Sequence, residues 1–211
     1  NARANTMFKL TYQAYILFGM TMGYGIYRML VVSRQKIVKV LSGIGLFVLI
    51  WTVGYFGNAV HSWFGEVWNP SKYLETDFPQ DAAAIRWLKQ NIEGSPVVLE
   101  ANGDSYSGYE RVSASTGLPT VLGWYVHEWL WRNDVPDLNQ KSADIQTIYT
   151  SGDVETVKSL VKKYDISYIF VGGQEKEKYG TDLNDSLLQS LGSIAYVDVT
   201  SGTYIVKVSG Q

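Results

Sequence analysis

Val40-Leu-Ser-Gly-Ile-Gly-Leu-Phe-Val-Leu-Ile-Trp-Thr-Val-Gly-Tyr-Phe-Gly-Asn-Ala-Val60 is a run of 21 residues without a formal charge. About 20 mostly apolar residues in a helix cross the hydrocarbon core of a bilayer. Leu41, Ile44, Leu46, Phe47, Val48, Leu49, Ile50, Trp51 and Val53 leave little for water on any face of such a helix. Working back toward the start of the chain, Leu10–Tyr27 is a second uncharged stretch, of 18 residues. It is less apolar, holding Thr11, Gln13, Thr21, Gly19, Gly23 and Gly25. Gly19 and Gly23 are four apart and share a helix face, where small residues let another membrane helix come close. Together the stretches predict two transmembrane helices within residues 1–63, near 8–30 and 38–62.

Between them lie Arg28, Arg34, Lys36 and Lys39, and no acidic residue precedes Glu66. Short loops rich in Lys and Arg stay on the cytoplasmic side. The pattern therefore predicts a multi-pass protein of the cell membrane, with residues 28–39 inside and everything after residue 62 outside. Trp51, Tyr55, Trp63 and Trp68 run toward the outer interface, where amphipathic rings are favoured. The chain opens Asn1-Ala2-Arg3 rather than with Met, so it reads as the C-terminal piece of a longer protein, with Asn1-Ala2 a cloning remnant. Apolar helices cut from their neighbours would associate with lipid, with detergent or with copies of themselves, giving a homo-oligomer through residues 10–60.

Residues 64–74 read as a juxtamembrane linker, and 75–211 as an extracytoplasmic α/β domain. From residue 64 onward 12 basic residues face 20 acidic ones, a net charge of −8. That excludes the basic footprint of a nucleic-acid binder. There is no cysteine, so there is neither disulfide nor thiol chemistry. Asp81–Ile92 has Ile85, Leu88 and Ile92 at helical spacing, and Gly94 and Pro96 stop it. Val97-Val-Leu99 is a short apolar strand. Ser142–Tyr149 reads as helical, and Thr150-x-x-Asp153 resembles a capping box before the stripe Val154, Val157, Leu160, Val161. Ile166–Val171 is a β-prone run closed by Gly172-Gly173. Leu183, Leu187, Leu188 and Leu191 mark a further helix. Ile194–Val199 and Tyr204–Val208 predict a terminal hairpin. The expected fold class is α/β: two transmembrane-like helices, then a small domain of two or three layers with a mixed sheet and a C-terminal hairpin.

Two segments could carry a ligand. Glu100-Ala-Asn-Gly-Asp-Ser-Tyr-Ser-Gly-Tyr-Glu-Arg111 follows the first strand, and the loop beyond a strand's carboxyl end is the usual ligand position in an α/β sheet. Its Glu100, Asp104, Ser105, Tyr106, Glu110 and Arg111 suit a polyol, a sugar or a phosphate; an ordinary surface loop with one ion pair is the plainer alternative. Gly103-x-x-x-x-Gly108 lacks the Lys and Ser/Thr of a phosphate loop. In the second segment Trp124, His127, Glu128 and Trp131 share one helix face. They would stack on a sugar ring or do acid–base work, or simply form an aromatic patch at the membrane end of the protein. His127 and Glu128 are adjacent and diverge, and the other histidine, His61, lies at the membrane edge, so neither a metal nor another cofactor is expected.

A resemblance joins these segments. Asp81-Ala-Ala-Ala-Ile-Arg-Trp-Leu, Val98-Leu-Glu-Ala, Ser105-Tyr, Arg111-Val-Ser-Ala, Thr116-Gly-Leu-Pro, Leu122-Gly-Trp and His127-Glu resemble the C-terminal part of the YYY family of uncharacterised multi-spanning prokaryotic membrane proteins. So do Arg3-Ala-Asn-Thr-Met-Phe-Lys9 with Tyr12-Gln-Ala, and Tyr164-x-Ile-x-Tyr168. That family is distantly similar to glycosyltransferases that take sugar from a polyprenyl-phosphate donor. The resemblance implies an accessory outer domain, with the catalytic acids in an upstream loop and no catalytic residue in this chain. It carries Glu100, Ser105, Tyr106, Arg111, Trp124, His127 and Glu128 over as substrate-binding candidates. The family assigns these residues no roles; by their own chemistry, Arg111 would take the phosphate, Glu100 would hold a sugar hydroxyl or fix Arg111, and His127 and Glu128 would orient an acceptor hydroxyl or the Arg111 side chain. The alternative is a non-enzymatic scaffold that binds a partner protein or an envelope glycan.

Overall fold

The computed structural model describes residues 2–65 and 71–209. Residues 66–70 of the predicted 64–74 linker, Trp68 and Pro70 among them, lie outside the described residues. The chain divides into two compact units, Asn1–Trp68 and Asn69–Gln211.

The first unit is a pair of helices, α1 (Ala2–Val31) and α2 (Lys36–Phe64), packed on each other. Ile26 and Ser42 are its buried contacts, and Ile26 Cδ1 stands 3.8 Å from where a Cβ on Gly45 would be. Nothing lies within 4 Å of the corresponding points on Gly19 and Gly23, so the small-residue pair of α1 does not make the close approach.

Both predicted helices form, but the expectation of two membrane spans is corrected. Among the described residues one helix is long and apolar enough to cross a membrane, Lys36–Trp63 within α2. Helix α1 falls short because its apolar residues are diluted by Thr11, Gln13, Thr21 and a series of tyrosines. The hydroxyls of Thr11 and Thr21 donate back to the Met7 and Leu17 carbonyls, at 2.8 Å each, which satisfies them without making the helix apolar. The multi-pass arrangement falls with the second span.

The second unit is a three-layer α/β domain. Its elements are α3 (Ser71–Asp77), α4 (Ala82–Asn91), β1 (Val97–Leu99), α5 (Arg111–Thr116), α6 (Tyr125–Arg132), α7 (Val135–Thr150), α8 (Val154–Lys163), β2 (Ile166–Val171), α9 (Gly173–Tyr179), α10 (Asp185–Ser190), β3 (Gly192–Val197) and β4 (Tyr204–Val208). The sheet runs β1-β2-β4-β3. β1 and β2 are parallel, with Leu99 opposite Ile169. β4 is antiparallel to both its neighbours, with Val206 opposite Ile169 and Ile194. It is therefore a mixed sheet ended by a hairpin.

Period-two alternation divides the core between the two faces of the sheet. Leu99, Ile169 and Val206 point to one face, where Ile145, Ile148, Val157 and Leu188 from α7, α8 and α10 cover them. Val98, Tyr168, Phe170 and Ile205 point to the other, where Ile85 and Leu88 of α4 and Val112 of α5 pack. Covering both faces is why β2 reads as a near-continuous apolar run. Helix α7 begins well before the predicted Ser142: Asp134 caps it, accepting from the Asp137 N–H at 3.3 Å, and Pro136 fits its first turn. Thr150 ends that helix, and the cap of α8 is Asp153, which accepts from the Glu155 N–H at 3.1 Å.

Candidate functional site

The loop after β1 begins with Glu100, which is fully buried. Its carboxylate accepts the Val112 and Ser113 N–H groups at 2.8 and 2.7 Å and so fixes the first turn of α5. Burial pushes the Glu100 acid up, while those hydrogen bonds and the charge of Arg111 pull it down. Arg111 sits at the centre of a buried node. Its Nε donates to Asp81 at 2.6 Å, and its two terminal nitrogens donate to the Glu175 oxygens at 3.2 and 2.7 Å. The guanidinium also lies 5.2 Å from the centre of the Phe170 ring. Its pKa is held above the ordinary value: burial opposes the charge, and Glu175 and Asp81 more than offset that.

The two acids have further partners. Glu175 accepts the Ala101 and Gly172 N–H groups at 2.9 and 2.8 Å. Asp81 accepts the Gly173 N–H at 3.0 Å and the Thr203 hydroxyl at 3.1 Å. The Gly172-Gly173 pair that closes β2 is thus part of this node. A Cβ on Gly172 would collide with the Asp81 carboxylate and the Phe170 ring, so the close approach requires glycine. Arg111 is 3% exposed and directs its donors at carboxylates of the protein itself, which leaves it out of reach of a ligand phosphate. Glu100 likewise faces backbone donors.

The ligand-shaped space lies beside this node. A pocket of about 610 Å³ is lined by Glu110, Ser113, Trp124, His127, Glu128 and Trp131, among others. Trp124 precedes α6, and its indole N–H donates to the Tyr109 carbonyl at 3.0 Å. His127 Nδ1 is hydrogen-bonded to Ser105 Oγ at 2.8 Å, which fixes the ring's orientation. Tyr106, Trp124 and His127 form one ring cluster, with centroids 5.0–5.5 Å apart and planes tilted by 48–75°. Such geometry is favourable for aromatic quadrupoles. Glu128 pairs with Arg132 one turn on. Of the residues selected on sequence, Ser105, Tyr106, Trp124, His127 and Glu128 are brought together here. Glu100 and Arg111 belong to the node, and Asp104 is exposed on the loop.

Glu110, which the sequence offers only as one acid among several in a polar loop, lines this pocket. It is 6% exposed, its backbone is left-handed at φ 60°, and neither carboxyl oxygen has a hydrogen-bond partner. Non-glycine residues adopt that conformation at a cost and mostly where the surroundings impose it. Burial, and then the nearby charge of Glu100, raise its pKa to about 9. The Gly103 N–H, which lies outside hydrogen-bonding geometry, and the charges of Lys178 and Arg111 oppose that rise. Lys178 is itself lowered by burial. No local sequence signal separates Glu110 from an ordinary loop acid, because its burial depends on α6, α9 and β1 converging around it. Among the described residues no group of three or more His, Asp or Glu is arranged to hold a metal ion.

Comparison with protein-family models, with curated proteins and with solved structures returned no match.

Proposed function

We propose that the α/β unit is a carbohydrate-recognising domain. In the wider reading it is the accessory part of a membrane glycosyltransferase that uses a polyprenyl-phosphate-linked sugar. The observation that carries this is the pocket itself: the tilted rings of Trp124 and His127 and an exposed Trp131 around a few polar groups. Ligand pockets combine a mainly apolar lining with a small number of placed polar groups, and an aromatic face is the natural partner of the C–H face of a sugar ring. With Arg111 bound to Asp81 and Glu175, and Arg132 to Glu128, the pocket suits the sugar rather than its phosphate. The apolar α2 supplies lipid contact for the chain.

A second reading, a scaffold that binds a partner protein, is favoured by the exposure of Leu130 and Trp129 elsewhere on α6. Isothermal titration of the full chain in lipid nanodiscs with methyl glycosides of glucose, galactose, mannose and N-acetylglucosamine separates the two. Binding of at least one glycoside is expected. Trp131→Ala, at an exposed position, and Trp124→Ala are each expected to weaken it about tenfold, in line with the loss of a tryptophan anchor. Unaltered glycoside binding in both folded variants, or no binding by the parent, would remove the sugar reading.

A further inference from the structure

We propose that α6 docks on lipid: Val126, Trp129 and Leu130 sit in the headgroup layer of a zwitterionic bilayer surface and hold the α/β unit against the membrane. The inference does not rest on the sugar reading above.

Helix α6, Tyr125–Arg132, buries none of its residues. Val126, Trp129 and Leu130 stand at i, i+3 and i+4 and so share one face. They are 38%, 43% and 62% exposed. His127, Glu128 and Trp131, which line the pocket, lie on the other side of the helix. The apolar face is therefore not part of the pocket, and a surface that covers it leaves the pocket open. A contiguous apolar patch on a folded domain marks an interaction surface. Tryptophan, with an apolar body and one polar N–H, is enriched where bilayer meets water.

The same exposure suits a protein partner, but two observations choose lipid. The chain brings a bilayer with it, since Lys36–Trp63 is long and apolar enough to cross one. Six residues, 65–70, separate the end of α2 from the start of α3, a reach of about 25 Å at full extension. A bilayer entered by α2 is thus offered to the α/β unit at high effective concentration, with no free partner needed. Charge then says which lipid. From residue 64 onward 20 acidic residues outnumber 12 basic ones. Arg132 is paired with Glu128, and Lys141, the next basic residue along the chain, with Asp137. These are not the free clustered cations that grip anionic headgroups. The contact comes instead from burying a ring and two aliphatic side chains, as in an interfacial amphipathic helix.

The chain has no cysteine, so a single one can carry a fluorophore at a chosen position. Val126→Cys and Leu130→Cys report on the face, and Val199→Cys, at a position 90% exposed between β3 and β4, is the control. Each labelled full chain is placed in nanodiscs of phosphatidylcholine brominated near the headgroup, and acrylamide serves as the quencher in water. Brominated lipid is expected to dim the labels at 126 and 130 about twofold or more, while acrylamide reaches chiefly the label at 199. Adding phosphatidylglycerol should not increase the lipid quenching, and Trp129→Gln with Leu130→Gln should remove most of it at 126. Quenching of 126 and 130 by acrylamide and not by lipid would leave the face open to water and overturn the proposal. Protection from both quenchers would mean that protein covers it, a partner or a second copy, and overturn it too. So would equal lipid quenching at 199, a gain on adding phosphatidylglycerol, or unchanged quenching at 126 in the folded double variant. Glycoside titration is a separate readout, so the failure of either reading leaves the other standing.

Discussion

Arg111→Met is expected to destabilise the α/β unit by about 3–5 kcal/mol, the usual result of removing one partner from a buried ion pair. The substitution leaves Asp81 and Glu175, 2% and 0% exposed, facing the gap without a counter-charge. Methionine fills much of the space, so the loss would be electrostatic rather than a cavity effect. Since a domain is held by only 5–15 kcal/mol in total, the variant should unfold at a much lower urea concentration, read by circular dichroism. Arg111→Lys should rescue little. One ammonium cannot reproduce the fork that donates to Asp81 and to both oxygens of Glu175. Adding Asp81→Asn and Glu175→Gln to Arg111→Met should recover part of the loss by removing the stranded charges. A loss under about 1 kcal/mol in the single variant would show that the node is not under this electrostatic constraint.

The second large effect has the opposite sign. Glu110→Gln should stabilise the unit at pH 8 by about 2–4 kcal/mol and change little at pH 4. The folded chain holds the Glu110 proton up to about pH 9, whereas an ordinary glutamate releases it near 4.5. Between those values the folded state binds more protons than the unfolded one, so this group makes stability fall as pH rises. Below 4.5 both states are protonated and the difference vanishes. Glutamine is neutral throughout and removes the slope. The readout is the difference between the urea-derived stabilities of parent and variant across pH, which cancels every other titrating group. A difference that stays constant from pH 4 to 9 would sink the claim. If it holds, the native glutamate is kept at a stability cost, a common sign of a functional group.

The residues that the sequence made readable are those whose surroundings are local. Ile166–Val171 forms a strand over its whole predicted length because apolar character on both faces is written in six consecutive residues. Val97–Leu99 and the helix after Asp81 are legible for the same reason. At Pro136, local reading underestimates the helix, since proline looks like a break until its place in the first turn is known. In the first unit, the charge-free length of α1 outweighed its hydroxyls in the reading, and composition rather than length decides whether a helix suits a bilayer.

The site was half legible. His127 and Glu128 lie on α6 with Trp124 at its N-cap, so that spacing alone places them close together. Arg111, chosen for the anion-gripping chemistry of its guanidinium, is bound by Asp81, 30 residues earlier, and Glu175, 64 residues later. Nothing in its own neighbourhood announces either partner. Glu110, one residue away, has the reverse fate, buried without a partner. Adjacent charged residues, one fully neutralised and the other left open, cannot be told apart until the chain closes around them.

The Arg111 node also bears on the order of events in folding. Asp81 meets Thr203 across 122 residues and Arg111 meets Glu175 across 64, so the ion pairs of the node cannot form while the chain is assembling locally. Closing such long loops costs entropy before any contact returns it. The helices α7 and α8 and the hairpin β3–β4 can form from near neighbours, but the guanidinium must wait until α4, α5, α9 and the start of β4 converge. Contacts made after the rate-limiting step act on escape from the native state rather than on arrival. The node is therefore a latch: weakening it should leave the refolding rate nearly unchanged and shorten the lifetime of the folded domain.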